Sequence, residues 1–177
     1  MTLIGVIMAG GAARRFGSDK ALARWRGRRL IDHSADALRP VVKRIVVTGR
    51  DADFAGMTAI ADWPRPGLGP LGGLCGALRL AHMEGHRGVL SIACDMPVVP
   101  GTVIGELAAA QVATYVDQAP VLGFWPADLA EGLMTFLMRS NDRSIVAWGR
   151  SVGARPLHPA DDIPNINRPG DLDALDR

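Results

Sequence analysis

The sequence predicts a three-layer α/β/α domain built on a mostly parallel sheet, and three features carry that expectation. Short apolar runs with β-branched residues alternate along the chain with stretches of helical periodicity. The first run is apolar on both alternate faces, as a strand covered by helices on both sides has to be. Glycine-rich or acidic loops follow several runs, at the carboxyl ends of strands, where an open sheet of this kind binds its ligands.

In chain order, Leu3 to Ala9 (Leu-Ile-Gly-Val-Ile-Met-Ala) is the first strand and ends at a double glycine. Leu30 to Leu38 reads as a helix, and Arg44 to Thr48 and Thr58 to Ala61 as short strands. Gly73 to Met83 is the next helix, Gly88 to Ala93 a strand and Val103 to Gln111 a helix. Ala113 to Val116 and Pro120 to Phe124 complete the strands, and Asp128 to Arg139 sets Leu129, Leu133, Phe136 and Leu137 at helical spacing. Ala61 to Gly73 is rich in proline and glycine and, at 13 residues, long for a plain connection. It reads as a binding loop or a mobile linker, and its place between strand and helix favours the loop.

A chain of 177 residues, 48% hydrophobic and 21% charged, suits one domain over residues 1–177 with a sizeable core. The longest charge-free stretches, Met1 to Ala13 and Pro66 to Leu78, are 13 residues each, short of the roughly 20 apolar residues that span a bilayer. No basic residue precedes the N-terminal apolar run, so neither a membrane segment nor a secretory leader is expected. Cys75 and Cys94 stand far apart without histidines at metal spacing, which excludes a disulfide framework or a zinc site. A cytoplasmic location follows as the expectation.

Net charge is +2, but residues 1 to 50 hold 11 of the 20 basic and 3 of the 18 acidic side chains, leaving them at +8 and the remainder at −6. Arg24, Arg26, Arg28, Arg29 and Arg39 read as solvated surface and not as a nucleic-acid face. Only Lys20 and Lys43 are lysines among these cations, and a compact ammonium serves phosphate differently from a guanidinium.

The first loop, Met8-Ala9-Gly10-Gly11-Ala12-Ala13-Arg14-Arg15-Phe16-Gly17-Ser18-Asp19-Lys20, combines glycines that let backbone amides approach a phosphate with cations that offset its charge. It is not a Walker A loop, because Ser18-Asp19 separate Gly17 from Lys20, and it lacks the G-x-G-x-x-G of dinucleotide-binding strands. Gly67 to Gly72 does match that pattern, but with a proline inside and no strand directly before it. Asp95 follows the apolar run Val89 to Ala93 and precedes Pro97, a position suited to holding Mg²⁺ or to capping a turn. Asp62, after Thr58 to Ala61, reads equally as a turn residue or as a ligand contact, and Asn167 as an Asx turn or a site residue.

Gly10-Gly11, Arg14, Gly17 and Asp19-Lys20 resemble the signature loop of nucleotidyltransferases with the Rossmann-like nucleotide-diphospho-sugar transferase fold. With Gly69-Pro70-Leu71-Gly72-Gly73, Cys94-Asp95-Met96-Pro97 and Asn165-Ile166-Asn167-Arg168-Pro169-Gly170-Asp171-Leu172, the chain resembles in detail the molybdenum cofactor guanylyltransferase family. The resemblance implies transfer of GMP from GTP to the terminal phosphate of Mo-molybdopterin, with Mg²⁺ as cofactor and pyrophosphate as leaving group. It implies nucleotide contacts at Met8, Ala9, Gly10, Gly11, Lys20, Thr48, Asp62 and Asp95, with Thr48 standing where the family often has asparagine. Lys20, Asp95 and Arg14 would be catalytic, Asp95 the metal ligand, and Gly72 and Asn167 substrate contacts. The molybdoenzyme that receives the product, or its chaperone, is the implied protein partner.

Relatives that make the cytidine form usually carry two alanines and one glycine where this chain has Met8-Ala9-Gly10-Gly11; the second glycine leaves room beside the base and favours GTP over CTP. A nicotinamide-dependent oxidoreductase would need the missing glycine fingerprint, and a non-catalytic nucleotide sensor would have no use for Asp95. His33, His82, His86 and His158 show no triad-like spacing. Trp125, Trp148 and the segment Ser140 to Val146 read as flanking a pterin, the two rings by stacking, or as core packing.

Overall fold

The computed structural model describes residues 2–10 and 19–175. β1 (Leu3–Met8) leads to a 3₁₀ turn at Lys20–Leu22 and a small hairpin, β2 (Arg24–Trp25) and β3 (Arg28–Arg29). α1 (Leu30–Leu38), β4 (Arg44–Thr48), β5 (Thr58–Ile60), α2 (Pro70–Met83), β6 (Gly88–Ala93) and α3 (Gly101–Ala109) follow. The chain continues through β7 (Thr114–Val116), β8 (Ala119–Pro126), a 3₁₀ turn at Ala127–Leu129, α4 (Ala130–Arg139), α5 (Ile145–Ser151), β9 (Arg155–Leu157) and α6 (Pro169–Ala174).

The main sheet has the order β5-β4-β1-β6-β8-β7-β9. All neighbouring pairs are parallel except those of β8, which runs against both β6 and β7. β1, paired on one side with β4 and on the other with β6, has all six residues buried. Its alternation divides the core: Leu3 and Ile7 join Ile31, Leu38, Ile104 and Leu107 under α1 and α3, whereas Ile4, Val6 and Met8 join Leu71, Leu74, Leu78, Leu133 and Trp148 under α2, α4 and α5. A strand sandwiched in this way buries every side chain, at about 1.5–3 kcal/mol for each large apolar one, and that is why its sequence shows no polar period.

Several elements differ from the sequence reading, α3 for instance running Gly101–Ala109, and two of the differences bear on the site. α2 begins at Pro70 and not at Gly73, because Gly69 takes a left-handed backbone (φ 69°) ahead of a proline in the first turn. The connection from β5 therefore shortens to residues 61–69, and the glycines at 72 and 73 are helical. β8 extends to Pro126, so Trp125 sits in a central strand and is fully buried. Trp125 donates to Ser91 Oγ at 3.1 Å and stacks parallel to Tyr115, and Trp148 is 2% exposed. Neither ring is free to face a pterin.

Four strand ends are in one register row, because Met8 pairs with both Thr48 and Ala93, and Thr48 pairs with Ile60. Backbone bonds carry the alignment one step further: Ala9 N–H donates to Thr48 O at 3.0 Å and Cys94 N–H to Met8 O at 3.1 Å. The segments that start at Gly10, Gly49, Asp62 and Asp95 thus leave the sheet side by side.

Candidate active site

A cavity of about 730 Å³ opens over the ends of β1, β4 and β5, lined by Met8, Gly10, Thr48, Arg50, Asp62 and Gly69 among others. The helix α2 comes close beneath it. A Cβ on Gly73 would stand 2.5 Å from Thr48 Oγ1 and one on Gly76 2.3 Å from Ala61 O, so only a bare helix face lets α2 approach the strand ends. The half-buried Asp62 lies against Gly72, and a Cβ there would meet its Oδ2 at 3.1 Å. Gly72 is buried in the first turn of α2, its N–H bonded to Gly69 O at 2.9 Å, so it supports Asp62 from behind.

A second cluster sits at the end of β6. Asp95 is 8% exposed. Its Oδ2 accepts from Lys20 Nζ at 2.5 Å, and the same ammonium donates to Asn167 Oδ1 at 3.3 Å. Asp95 Oδ1 is buried and has no hydrogen-bond partner among the described residues. A carboxylate oxygen left bare in this way is costly unless something positive reaches it. The donor set fits Mg²⁺, which takes one or two carboxylates and completes its shell with water and phosphate oxygens. Among the described residues no group of three or more carboxylate, histidine or cysteine side chains gathers to hold a metal by protein ligands alone.

Backbone contacts fix this cluster. Ile166 N–H donates to Asp95 O at 3.0 Å, tying the C-terminal strap to the β6 end. Asp171 accepts from the N–H groups of Asn167 and Arg168, at 2.7 and 2.8 Å, and those bonds hold its carboxyl below the usual range. Ser34, fully buried on α1, turns its hydroxyl toward Ala93 O at 3.0 Å and Met96 O at 3.3 Å, either side of Asp95.

Of the residues expected from sequence, Met8, Gly10, Thr48 and Asp62 meet around the cavity, and Lys20, Asp95 and Asn167 meet beside it. Thr48 is buried against Gly73. Ala9 turns its methyl into the α1 and α3 core and commits its N–H to Thr48, so its place is structural support at the cavity floor. Gly11 and Arg14, like Arg15 and Gly17, lie outside the described residues. No histidine belongs to either cluster: His33 bonds Trp25 O, His86 bonds Thr2 and Glu84, His158 bonds Asp117, and His82 is exposed on α2.

Arg50 and Ser34 are the residues the sequence did not single out. Arg50 grips Asp19 with both terminal nitrogens, at 2.5 and 2.7 Å, and its guanidinium covers the Phe54 ring with Cζ 4.0 Å from the centroid. Its hydrogen bonds hold the Asp19 carboxyl below the usual range. Arg50 looks like any other arginine in a chain rich in them; the available signal was its position, two residues after a strand end. Cys94 shares the neighbourhood, but burial pushes its thiol up to about 12.

The MobA-like NTP transferase domain family matches residues 5–154. A molybdenum cofactor guanylyltransferase of Acidiphilium cryptum is 32% identical, over 97% of this chain and 92% of that protein. Another of the same name, from Cereibacter sphaeroides, is 34% identical over 97% and 94%. In structure, the chain is similar to molybdopterin-guanine dinucleotide biosynthesis protein A from Archaeoglobus fulgidus, with a TM-score of 0.73 at 22% identity over 97% of this chain and 95% of that one. It is also similar to 2-C-methyl-D-erythritol 4-phosphate cytidylyltransferase from Thermus thermophilus, with a TM-score of 0.66 at 16% identity over 96% and 95%. These two likenesses show a shared fold, that of the nucleotide-diphospho-sugar transferases. The chain belongs to the MobA-like NTP transferase family and is a nucleotidyltransferase.

Proposed function

We propose that the protein transfers GMP from GTP to the terminal phosphate of Mo-molybdopterin, releasing pyrophosphate. The observation that carries this reading is the meeting of Lys20, Asn167 and a half-satisfied Asp95 beside a nucleotide-sized cavity, in a chain whose relatives are named molybdenum cofactor guanylyltransferases. The cavity bounded by Asp62 and Thr48 suits the base, since a carboxylate accepts from the two N–H donors of the guanine edge. Lys20 and Arg14 would offset phosphate charge, and the amides of Gly10 and Gly11 would approach the phosphates.

Asp95 would hold Mg²⁺ through Oδ1. When bound, the cation would neutralise phosphate oxygens and stabilise the pyrophosphate as it leaves. The acceptor phosphate is already an anion and needs no strong base, so the chain's own residues act by positioning and by opposing charge. A reducing cytoplasm would suit the chain's two free, buried thiols. Delivery of the product to an apo-molybdoenzyme or its chaperone would follow.

Pyrophosphate release tests the reading: each NTP is incubated with Mg²⁺ and molybdopterin, and GTP should be the one consumed. Asp95→Ala should abolish the release with the fold retained by circular dichroism, and Lys20→Ala should weaken GTP whereas Lys43→Ala should not. Consumption of CTP alone would refute the guanylyl assignment; an active Asp95→Ala protein would refute the mechanism.

A further inference from the structure

We propose that Arg50 is a positioning residue for Lys20: it acts through Asp19 to aim the ammonium. The inference rests on the functional reading above only in taking Lys20 as the cation that faces the triphosphate.

Arg50 leaves the sheet two residues after Thr48, and its side chain is 20% exposed. Its two terminal nitrogens donate to the two oxygens of Asp19 at 2.5 and 2.7 Å. A planar fork on a carboxylate fixes orientation as well as distance, which a single ammonium cannot do. One face of the guanidinium is covered by Phe54. Asp19, held in this way, uses Oδ1 to accept the N–H of Ala21 at 3.1 Å and so caps the 3₁₀ turn that begins at Lys20. The grip of Arg50 is therefore passed, through Ala21 N–H, to the turn that carries Lys20, whose Nζ reaches Asp95 and Asn167.

The residue next to Arg50 braces a second point. Gly49 crosses Gly10 so closely that a Cβ on Gly49 would lie 2.2 Å from Gly10 Cα. Its φ of 75° is one that a side chain disfavours as well. Gly10 and Asp19 are the described residues that flank positions 11 to 18. Two consecutive residues after β4 thus hold both flanks, Gly49 by contact and Arg50 by a charged fork. Each terminal nitrogen of Arg50 gives one N–H to Asp19, so its end-on fork is spent on the carboxylate that caps the Lys20 turn.

The test measures binding of GTP and of CTP, each with Mg²⁺, by calorimetry on the wild type, Arg50→Gln, Arg50→Lys, Asp19→Asn, Lys20→Ala and the Arg50→Gln/Lys20→Ala double variant. Melting temperatures are recorded for all. With whichever triphosphate the wild type takes, Arg50→Gln and Asp19→Asn should weaken binding by roughly tenfold, the scale of one charge-assisted hydrogen bond. Arg50→Lys should not restore it. In the Lys20→Ala background the Arg50 effect should vanish, because its route to the ligand is gone. Asp19→Asn keeps the shape of the capping side chain and gives the answer if Arg50→Gln does not fold. An Arg50 effect of the same size with and without Lys20, or full rescue by Arg50→Lys, would overturn the proposal. The choice between GTP and CTP bears on the functional reading alone and leaves this comparison standing.

Discussion

Removing the Lys20 ammonium should make the nucleotide-free protein bind a divalent cation more tightly while it binds the nucleotide less tightly. In the structure Lys20 Nζ stands 2.5 Å from Asp95 Oδ2, with side-chain exposures of 19% and 12%. A cation arriving at Asp95 must therefore share a carboxylate that is already neutralised. Two unit charges attract by about 4 kcal/mol at 4 Å in an effective dielectric of about 20. Desolvation offsets part of this, and charge-assisted hydrogen bonds of this kind net about 1.5–3 kcal/mol. Since about 1.4 kcal/mol is tenfold in affinity, competition by Lys20 should cost the cation about 10- to 100-fold. Lys20→Met, which keeps the apolar stem, should accordingly lower the Kd for Mn²⁺ by at least about tenfold, read from the free Mn²⁺ signal by electron paramagnetic resonance near neutral pH. The same variant should bind GTP with Mg²⁺ more weakly, and Asp95→Asn should lose the Mn²⁺ site with or without Lys20. An Mn²⁺ Kd that is unchanged or higher in Lys20→Met would refute the reasoning.

The Arg50–Asp19 pair also has a pH signature. Arg50 holds the folded-state carboxyl of Asp19 below its ordinary 3.8, so the pair's stabilisation is complete above that value and lost as pH falls through the lower folded-state one. The denaturation midpoints of wild type and Arg50→Gln should hold a constant gap at neutral pH and converge only in acid; convergence near pH 7 would contradict the assignment. Gly49→Ala should destabilise by about 2 kcal/mol or more, from the left-handed backbone and the contact with Gly10. That is a fall of roughly 4–8 °C in Tm for a domain of this size, and an unchanged Tm would show that the two backbones can part. Burial raises the thiols of Cys75 to about 11 and Cys94 to about 12, so Ellman's reagent near neutral pH should find no fast thiol in the native protein and both in denaturant. A fast-reacting thiol in the folded state would count against the packing of α2 or of the β6 end.

The sequence by itself determined the layered architecture, because a strand buried on both faces leaves an uninterrupted apolar run and amphipathic helices leave a 3.6-residue period. It also marked loops that the structure brings side by side, since loops after parallel strands converge whatever their composition. The 3₁₀ turn, the β2–β3 hairpin, α5 and β9 were not legible: each is at most seven residues long, too short for either period to repeat. The division of the site could not be read either. Asp62 and Asp95 both follow strands, but the register places Asp62 on the cavity against α2, and Asp95 beside Lys20 and the returning C-terminal strap. Only tertiary structure brought Arg50 to Asp19 across 31 positions of sequence, and Ser34 to the carbonyls flanking Asp95. Such partners carry no local periodicity and no motif. They are fixed by which strand ends lie side by side, a property of the sheet and not of any segment within it.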